Sequence, residues 1–218
     1  MKAQELANIA ESFTYSGIKT CYLKGFWGQR LTQAEYDRVL KMYPSNSKYG
    51  NAGLIGTDVF PFDCICFVKG ILGGCTPSRR ISYAQMAGNP VGDCTTETFA
   101  SKLYDIVQPG MNVPAGYGLS KPGHAALSLG GGRWVDVSYD YSGQNGAMLH
   151  TGGVPANYVC GKIPGVDYSD QPVPEPGDAE EFRDYLIEHA GETINTLYNE
   201  WRKTKWVEQI PKDTTPGG

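Results

Sequence analysis

No apolar run in this chain is long enough to cross a bilayer. A spanning helix needs roughly 18 or more consecutive apolar residues, and no stretch approaches that. The opening segment, Met1-Lys2-Ala3-Gln4-Glu5-Leu6-Ala7-Asn8, lacks the core of about 7–15 apolar residues that a secretory signal peptide requires. Synthesis in a cytoplasm without an export signal is therefore expected, with no membrane partner. The net charge is only −4, and no cluster of Lys and Arg offers a footprint for nucleic acid, which is excluded as an expected partner. Six cysteines are present (Cys21, Cys64, Cys66, Cys75, Cys94 and Cys160) but no Cys-x-x-Cys pair, and Cys64-Ile65-Cys66 is too tight to hold one zinc ion. A chain without a signal is kept reduced, so neither a disulfide framework nor a metal or other cofactor is expected. Histidine is scarce too, with only His124, His150 and His189.

What remains is an ordinary globular composition, 40% apolar over 218 residues, enough for one well-buried domain and an appendage. Ala3, Leu6, Ala7, Ala10 and Phe13 recur at helical spacing. Thr32-Gln33-Ala34-Glu35 reads as a capping box opening a second helix that Pro44 stops. A short apolar helix follows from Asp63 to about Leu72, and a fourth is expected over 95–107 with Phe99, Leu103 and Val107 on one face. The texture then changes. His124 to Leu129, Gly130-Gly131-Gly132, and Arg133 to Ser138 read as strand, turn and strand, with further strands near 146–150 and 157–163. Helices first and strands afterwards predict an α+β domain with a mainly antiparallel sheet over residues 1–163. Pro164, Pro172, Pro174 and Pro176 mark a linker over 164–178. Residues 179–210 carry an amphipathic stripe including Phe182, Leu186, His189, Leu197 and Trp201, which needs a partner on its own domain or on a sister subunit. Residues 211–218 have the composition of a disordered tail.

The chemistry concentrates at Asp63-Cys64. Asp63 is a good N-cap, which places Cys64 in the first helical turn, where unpaired N–H groups and the helix dipole favour a thiolate. At 100° per residue, Cys64 shares a face with Phe67, Val68 and Ile71, while Cys66 lies on the other side beside Lys69. A cysteine nucleophile needs a base. His189 lies beyond the linker and His150 near the end of a short strand, whereas His124 opens the hairpin. A base needs its second nitrogen held by an acceptor. If Gly130-Gly131-Gly132 form a three-residue loop, Ala126 faces Asp136, making His124 and Asp136 diagonal neighbours on one sheet face. A two-residue loop would shift the pairing by one and turn Asp136 to the opposite face. Small buried thiols, a structural strand histidine and a solvated carboxylate are the competing readings of the same residues.

These residues resemble a known family. Phe62-Asp63-Cys64-Ile65-Cys66-Phe67-Val68-Lys69-Gly70 resembles the nucleophile motif of NlpC-type cell-wall hydrolases, and Gly123-His124-Ala125-Ala126-Leu127-Ser128-Leu129-Gly130 resembles their histidine segment. Tyr22-Leu23-Lys24-Gly25 is similar to the Tyr-x-x-Gly segment whose tyrosine contacts substrate in that family. The likeness spans about 20–163 and departs at Asp136, where histidine is common, and at Ala126, where glycine is common. It implies a papain-like fold and hydrolysis of an amide bond in the peptidoglycan stem peptide. Cys64, His124 and Asp136 would be catalytic, Tyr22 would bind substrate, and no metal would take part. It implies further a phage or prophage endolysin, made in a bacterial cytoplasm and acting on the wall after release, with γ-D-glutamyl-diamino acid endopeptidase activity. The alternatives are an N-acetylmuramoyl-L-alanine amidase, an exported interbacterial toxin, and a non-catalytic wall-binding module.

Overall fold

A computed structural model of the chain describes residues 1–140 and 145–171. The chain divides into two units after Gln171. The predicted C-terminal helix, with its proposed sister-subunit contact, and the predicted tail lie outside the described residues. Among the described residues no helix is long and apolar enough to cross a membrane.

The body Met1–Gln171 is α+β. Helix α1 (Ala3–Ser12) buries Leu6, Ala7 and Ala10, and Phe13 at its end packs edge-on against Phe60, Phe62 and Phe67. Strand β1 (Thr20–Tyr22) runs parallel to β2 (Phe60–Phe62). Between them, α2 (Gln33–Met42) is capped by Thr32, whose hydroxyl accepts from the Glu35 N–H, and Pro44 opens a 3₁₀ turn after it. Helix α3 (Cys64–Leu72) leaves β2 directly, α4 (Tyr83–Ala87) follows, and α5 (Thr96–Lys102) precedes the sheet.

That sheet holds β3 (Tyr104–Val107), β4 (Gly118–Lys121), β5 (His124–Gly130), β6 (Arg133–Tyr139), β7 (Asn145–His150) and β8 (Val159–Lys162) in the order β3-β8-β4-β5-β6-β7, every neighbouring pair antiparallel. Helix α3 packs on β5 and β6 from one side and against α1 and α4 elsewhere, so Cys64 through Ile71 are all buried. A helix apolar all round belongs in such a position, and this corrects the expectation of a single inward face. Lys69 is the exception that needs a partner. Its ammonium reaches Asp93 at 2.5 Å and the Cys94 carbonyl at 3.1 Å.

Three local expectations are revised. The helix expected over 95–107 ends at Lys102, because Leu103 turns extended (ψ 140°) and Tyr104–Val107 pairs with β8. Its Tyr, Ile and Val suit a pleated strand better than a helix. Strand β4 was not anticipated. It joins β5 through Pro122-Gly123, where Gly123 takes φ +74°, the proline-then-glycine pattern of a type II turn. Residues 164–171, expected to open the linker, are fastened to the body. Val166 is buried, the Tyr168 hydroxyl donates to the Gly116 carbonyl at 3.0 Å, and Asp167 exchanges backbone bonds with Met1 and Ala3 at 3.0 and 2.8 Å.

Candidate active site

The groove bearing the site has a volume of about 1220 Å³, and Tyr22, Trp27, Cys64, Tyr83, Asp93 and Gly123 are among its walls. Cys64 comes first in α3 because Asp63 stops the strand and caps the helix, its carboxylate accepting from the Cys66 N–H at 2.7 Å. The other Asp63 oxygen accepts from the Gly25 N–H at 2.7 Å, tying the Asp63–Cys64 turn to the Tyr22–Gly25 segment. The backbone N–H of Cys64 has no partner among the described residues, as expected in the first turn of a helix.

The Cys64 sulfur rests against the start of β5. It lies 4.0 Å from the Gly123 carbonyl and takes a hydrogen bond from the Ala125 N–H, so it touches the backbone on both sides of His124. It makes no direct hydrogen bond to the imidazole. Burial pushes the thiol up to about 12, helped by the nearby Asp63 carboxyl, while the Ala125 and Ile65 N–H groups pull only weakly the other way. The expected depressed thiol pKa is therefore corrected. Desolvation at a site 5% exposed outweighs the helix terminus, and the resting group is a neutral thiol.

Cys66, expected to face away, also borders the groove. Its thiol is hydrogen-bonded to Asp63 and its pKa is raised well above the usual value by burial, so it is occupied as well as desolvated. All six cysteines are unpaired thiols.

The diagonal contact on the sheet is present. His124 Nε2 meets Asp136 Oδ2 at 2.6 Å. The register behind it arises differently from the expected loop. Gly130 pairs with Arg133 across a two-residue turn, and Leu129 is an extra residue before Ser128 pairs with Trp134, so Ala126 still lies opposite Asp136. A β-bulge absorbs the one-residue difference. Gly130, Gly131 and Gly132 all take positive φ, between +59° and +79°, which only glycine does freely.

Asp136 is 4% exposed. Burial alone would raise its pKa, but hydrogen bonds from two histidines overcome that and hold it below the usual carboxylate range. The second histidine is His150, whose Nε2 lies 2.9 Å from Asp136 Oδ1. An ionised carboxylate only accepts, so both rings carry a proton on Nε2. Nδ1 of His124 is then the ring nitrogen with no hydrogen bond among the described residues. Sequence reasoning set His150 aside because the β6–β7 connection does not reveal the pairing that places it beside Asp136. Parity was the available signal, since Trp134 and Asp136 point the same way and His150 faces Trp134.

Tyr22 sits on β1 with its N–H on Asn145 Oδ1 and its carbonyl on Asn51 Nδ2, both at 2.8 Å. Its ring packs edge-on against Tyr49 at 5.0 Å. Burial raises the phenol pKa, and the neighbouring Cys64 and Asp63 raise it further. The structure thus brings Tyr22 into the groove with Cys64. Its hydroxyl makes no hydrogen bond among the described residues.

The assembly offers a thiol, an imidazole whose Nδ1 makes no hydrogen bond among the described residues, a carboxylate bonded to that imidazole and an unpaired N–H at Cys64. Among the described residues no group of three or more His, Cys, Asp or Glu side chains is placed to hold a metal ion. Comparison with protein-family models, curated proteins and solved structures gives no match to this chain, so the chemistry of the site is read from its own residues.

Proposed function

We propose that this chain is a cysteine peptidase or amidase that hydrolyses an amide bond in the stem peptide of peptidoglycan. Cys64 is the nucleophile, His124 the base and Asp136 the carboxylate that orients it. The observation that carries the reading is the 2.6 Å His124–Asp136 contact on the strand whose start touches the Cys64 sulfur. A nucleophile helix lying on an antiparallel sheet that presents the base supports the finer description of the fold as papain-like. The substrate class rests on the likeness of the Cys64, His124 and Tyr22 segments to NlpC-type hydrolases.

The chemistry begins from a Cys64 thiol that burial keeps protonated. As substrate fills the groove, His124 Nδ1 takes the Cys64 proton while sulfur attacks the amide carbon. The Cys64 N–H faces the developing oxyanion, and the Tyr22 phenol is a second donor beside it. Nδ1–H then protonates the leaving amine. Water, deprotonated by the same nitrogen, hydrolyses the thioester and restores the thiol. Asp136 stays ionised throughout, stabilising the imidazolium and holding its ring.

Within this reading the bond cut is γ-D-glutamyl to diamino acid, and the context is a phage or prophage endolysin that reaches the wall after release. Incubating purified muropeptides with the protein and weighing the products tests the whole proposal. New amino termini on the diamino acid are expected, and none with Cys64→Ala. Products split between muramic acid and L-alanine would name an amidase instead. A second reading has one observation in its favour: a thiol held neutral also suits a module that binds wall without cutting it. Binding to sacculi without any product would select that reading.

A further inference from the structure

The Asp136 carboxylate is gripped from both sides. Oδ2 faces His124 at 2.6 Å and Oδ1 faces His150 at 2.9 Å. Two donors on two oxygens fix the plane of a carboxylate that one donor would leave free to rotate about its χ2 bond. His150 is itself held rigidly. Its ring stacks on Trp134 with centroids 3.8 Å apart and planes 12° apart, and the indole N–H donates to the Gly153 carbonyl at 3.1 Å. Trp134 also meets Tyr158 at 5.5 Å, and Tyr158 borders the His124 ring at 6.4 Å. The pairing of Trp134 with His150 and of Asp136 with Met148 puts indole, carboxylate and second imidazole on one face of β6 and β7.

A surface histidine with no role would not be stacked, bonded through one chosen nitrogen and aimed at a buried carboxylate. We propose that His150 is a positioning residue of this site. It donates from Nε2 to Asp136 Oδ1, and so turns Oδ2 toward His124 and leaves Nδ1 of His124 as the nitrogen that can accept a proton. The inference rests on the proposed cysteine mechanism but extends it by one residue, giving the line Cys64, His124, Asp136, His150. His150 touches neither substrate nor sulfur, so it acts only through Asp136. Outer partners of histidines that bind metal ions are worth about 10–100-fold, and an effect of that order is expected here.

Three variants of the full chain separate hydrogen bonding from packing. His150→Phe keeps the stack on Trp134 and removes the donor, His150→Gln keeps an N–H donor without the ring, and His150→Ala removes both. The readout is the iodoacetamide alkylation rate of Cys64 relative to Cys94, by peptide mass spectrometry, which needs no wall substrate. Expected is a roughly tenfold or larger loss for Phe and Ala, with Gln within about threefold of the parent. In the muropeptide assay the same loss falls on kcat with KM unchanged. A Phe variant as fast as the parent, or a Gln variant as slow as Phe, overturns the proposal. Imidazole ¹⁵N NMR on the unaltered protein is the check that needs no variant to fold. Both His124 and His150 are expected as Nε2–H tautomers, and an Nδ1–H tautomer at His150 overturns the assignment. If the parent cuts no muropeptide, the peptidase reading fails, while alkylation and NMR still decide whether His150 positions Asp136.

Discussion

Ala126 lies directly opposite Asp136 across the β5–β6 hairpin, and this pairing brings the carboxylate beneath His124 two positions earlier on β5. A shift of one residue would turn Asp136 to the other face of the sheet. The pairing depends on a tight glycine turn followed by a bulge at Leu129, so the turn is where the site is most easily disturbed.

At Gly131 (φ +59°) a side chain meets open space, so any cost there is conformational. Gly131→Asn is expected to be tolerated, whereas Gly131→Val should lose about 1–2 kcal/mol. Urea denaturation of the two variants measures the difference. Equal stability would show that the turn is not bound to its left-handed backbone.

Removing the orienting carboxylate should be severe for turnover. Asp136→Ala is expected to lower kcat by something on the order of 10²–10⁴-fold. Asp136→Asn offers one acceptor oxygen to two ring donors, so one imidazole must change tautomer. Retained activity above the Ala level would mean that the amide oxygen serves His124. Steady-state hydrolysis of a muropeptide at saturating substrate gives the comparison.

The two thiols of the nucleophile turn should separate cleanly. Cys64→Ala abolishes hydrolysis while leaving the melting temperature within a few degrees. Cys66→Ala keeps activity and loses about 1 kcal/mol or less with its hydrogen bond to Asp63. A dead Cys66 variant beside an active Cys64 variant would exchange their roles.

Burial sets the order of thiol labelling. Cys94 is half-buried and Cys64 almost fully so, with its thiol pushed up to about 12. In the free protein at neutral pH, iodoacetamide should label Cys94 ahead of Cys64, whose labelling needs His124 to take up the thiol proton. A Cys64 rate that reaches a plateau below pH 7 would instead reveal a preformed thiolate–imidazolium pair.

Stability should follow the Asp136 carboxyl in acid. Its folded pKa is lowered, chiefly by His124 and His150 working against burial, so its contribution is full above the unfolded value of about 3.9 and fades as pH falls through the folded one. The stability gap between the parent and Asp136→Asn should narrow as pH falls below about 4. Denaturant titrations between about pH 4 and pH 2 provide the measurement, and a gap that widens over that interval would contradict the assignment.

The sequence disclosed the nucleophile turn and the His124–Asp136 diagonal well because both are local. An N-cap beside a cysteine and a glycine turn of known length involve few residues, and the side-chain parity of a hairpin does the rest. It disclosed the thiol's electrostatics poorly. The helix-terminus argument is local too, but desolvation depends on how β5, β6, α1 and α4 close around α3, which no window of sequence contains. His150 escaped for a related reason, since its partner lies across a connection whose length does not fix the register. Strand β3 was read as helix because Leu103 and Val107 also fit a helical stripe, and only pairing with β8 breaks the tie.

The seam between residues 1–4 and 166–171 has a consequence for how the protein is made. Ala3 and Asp167 are hydrogen-bonded neighbours at opposite ends of the body, so α1 is made well before the segment that seals it. Contacts this distant in sequence form late. Until then the apolar face of α1 lacks its final cover, and a partly made chain is at its most prone to wrong association.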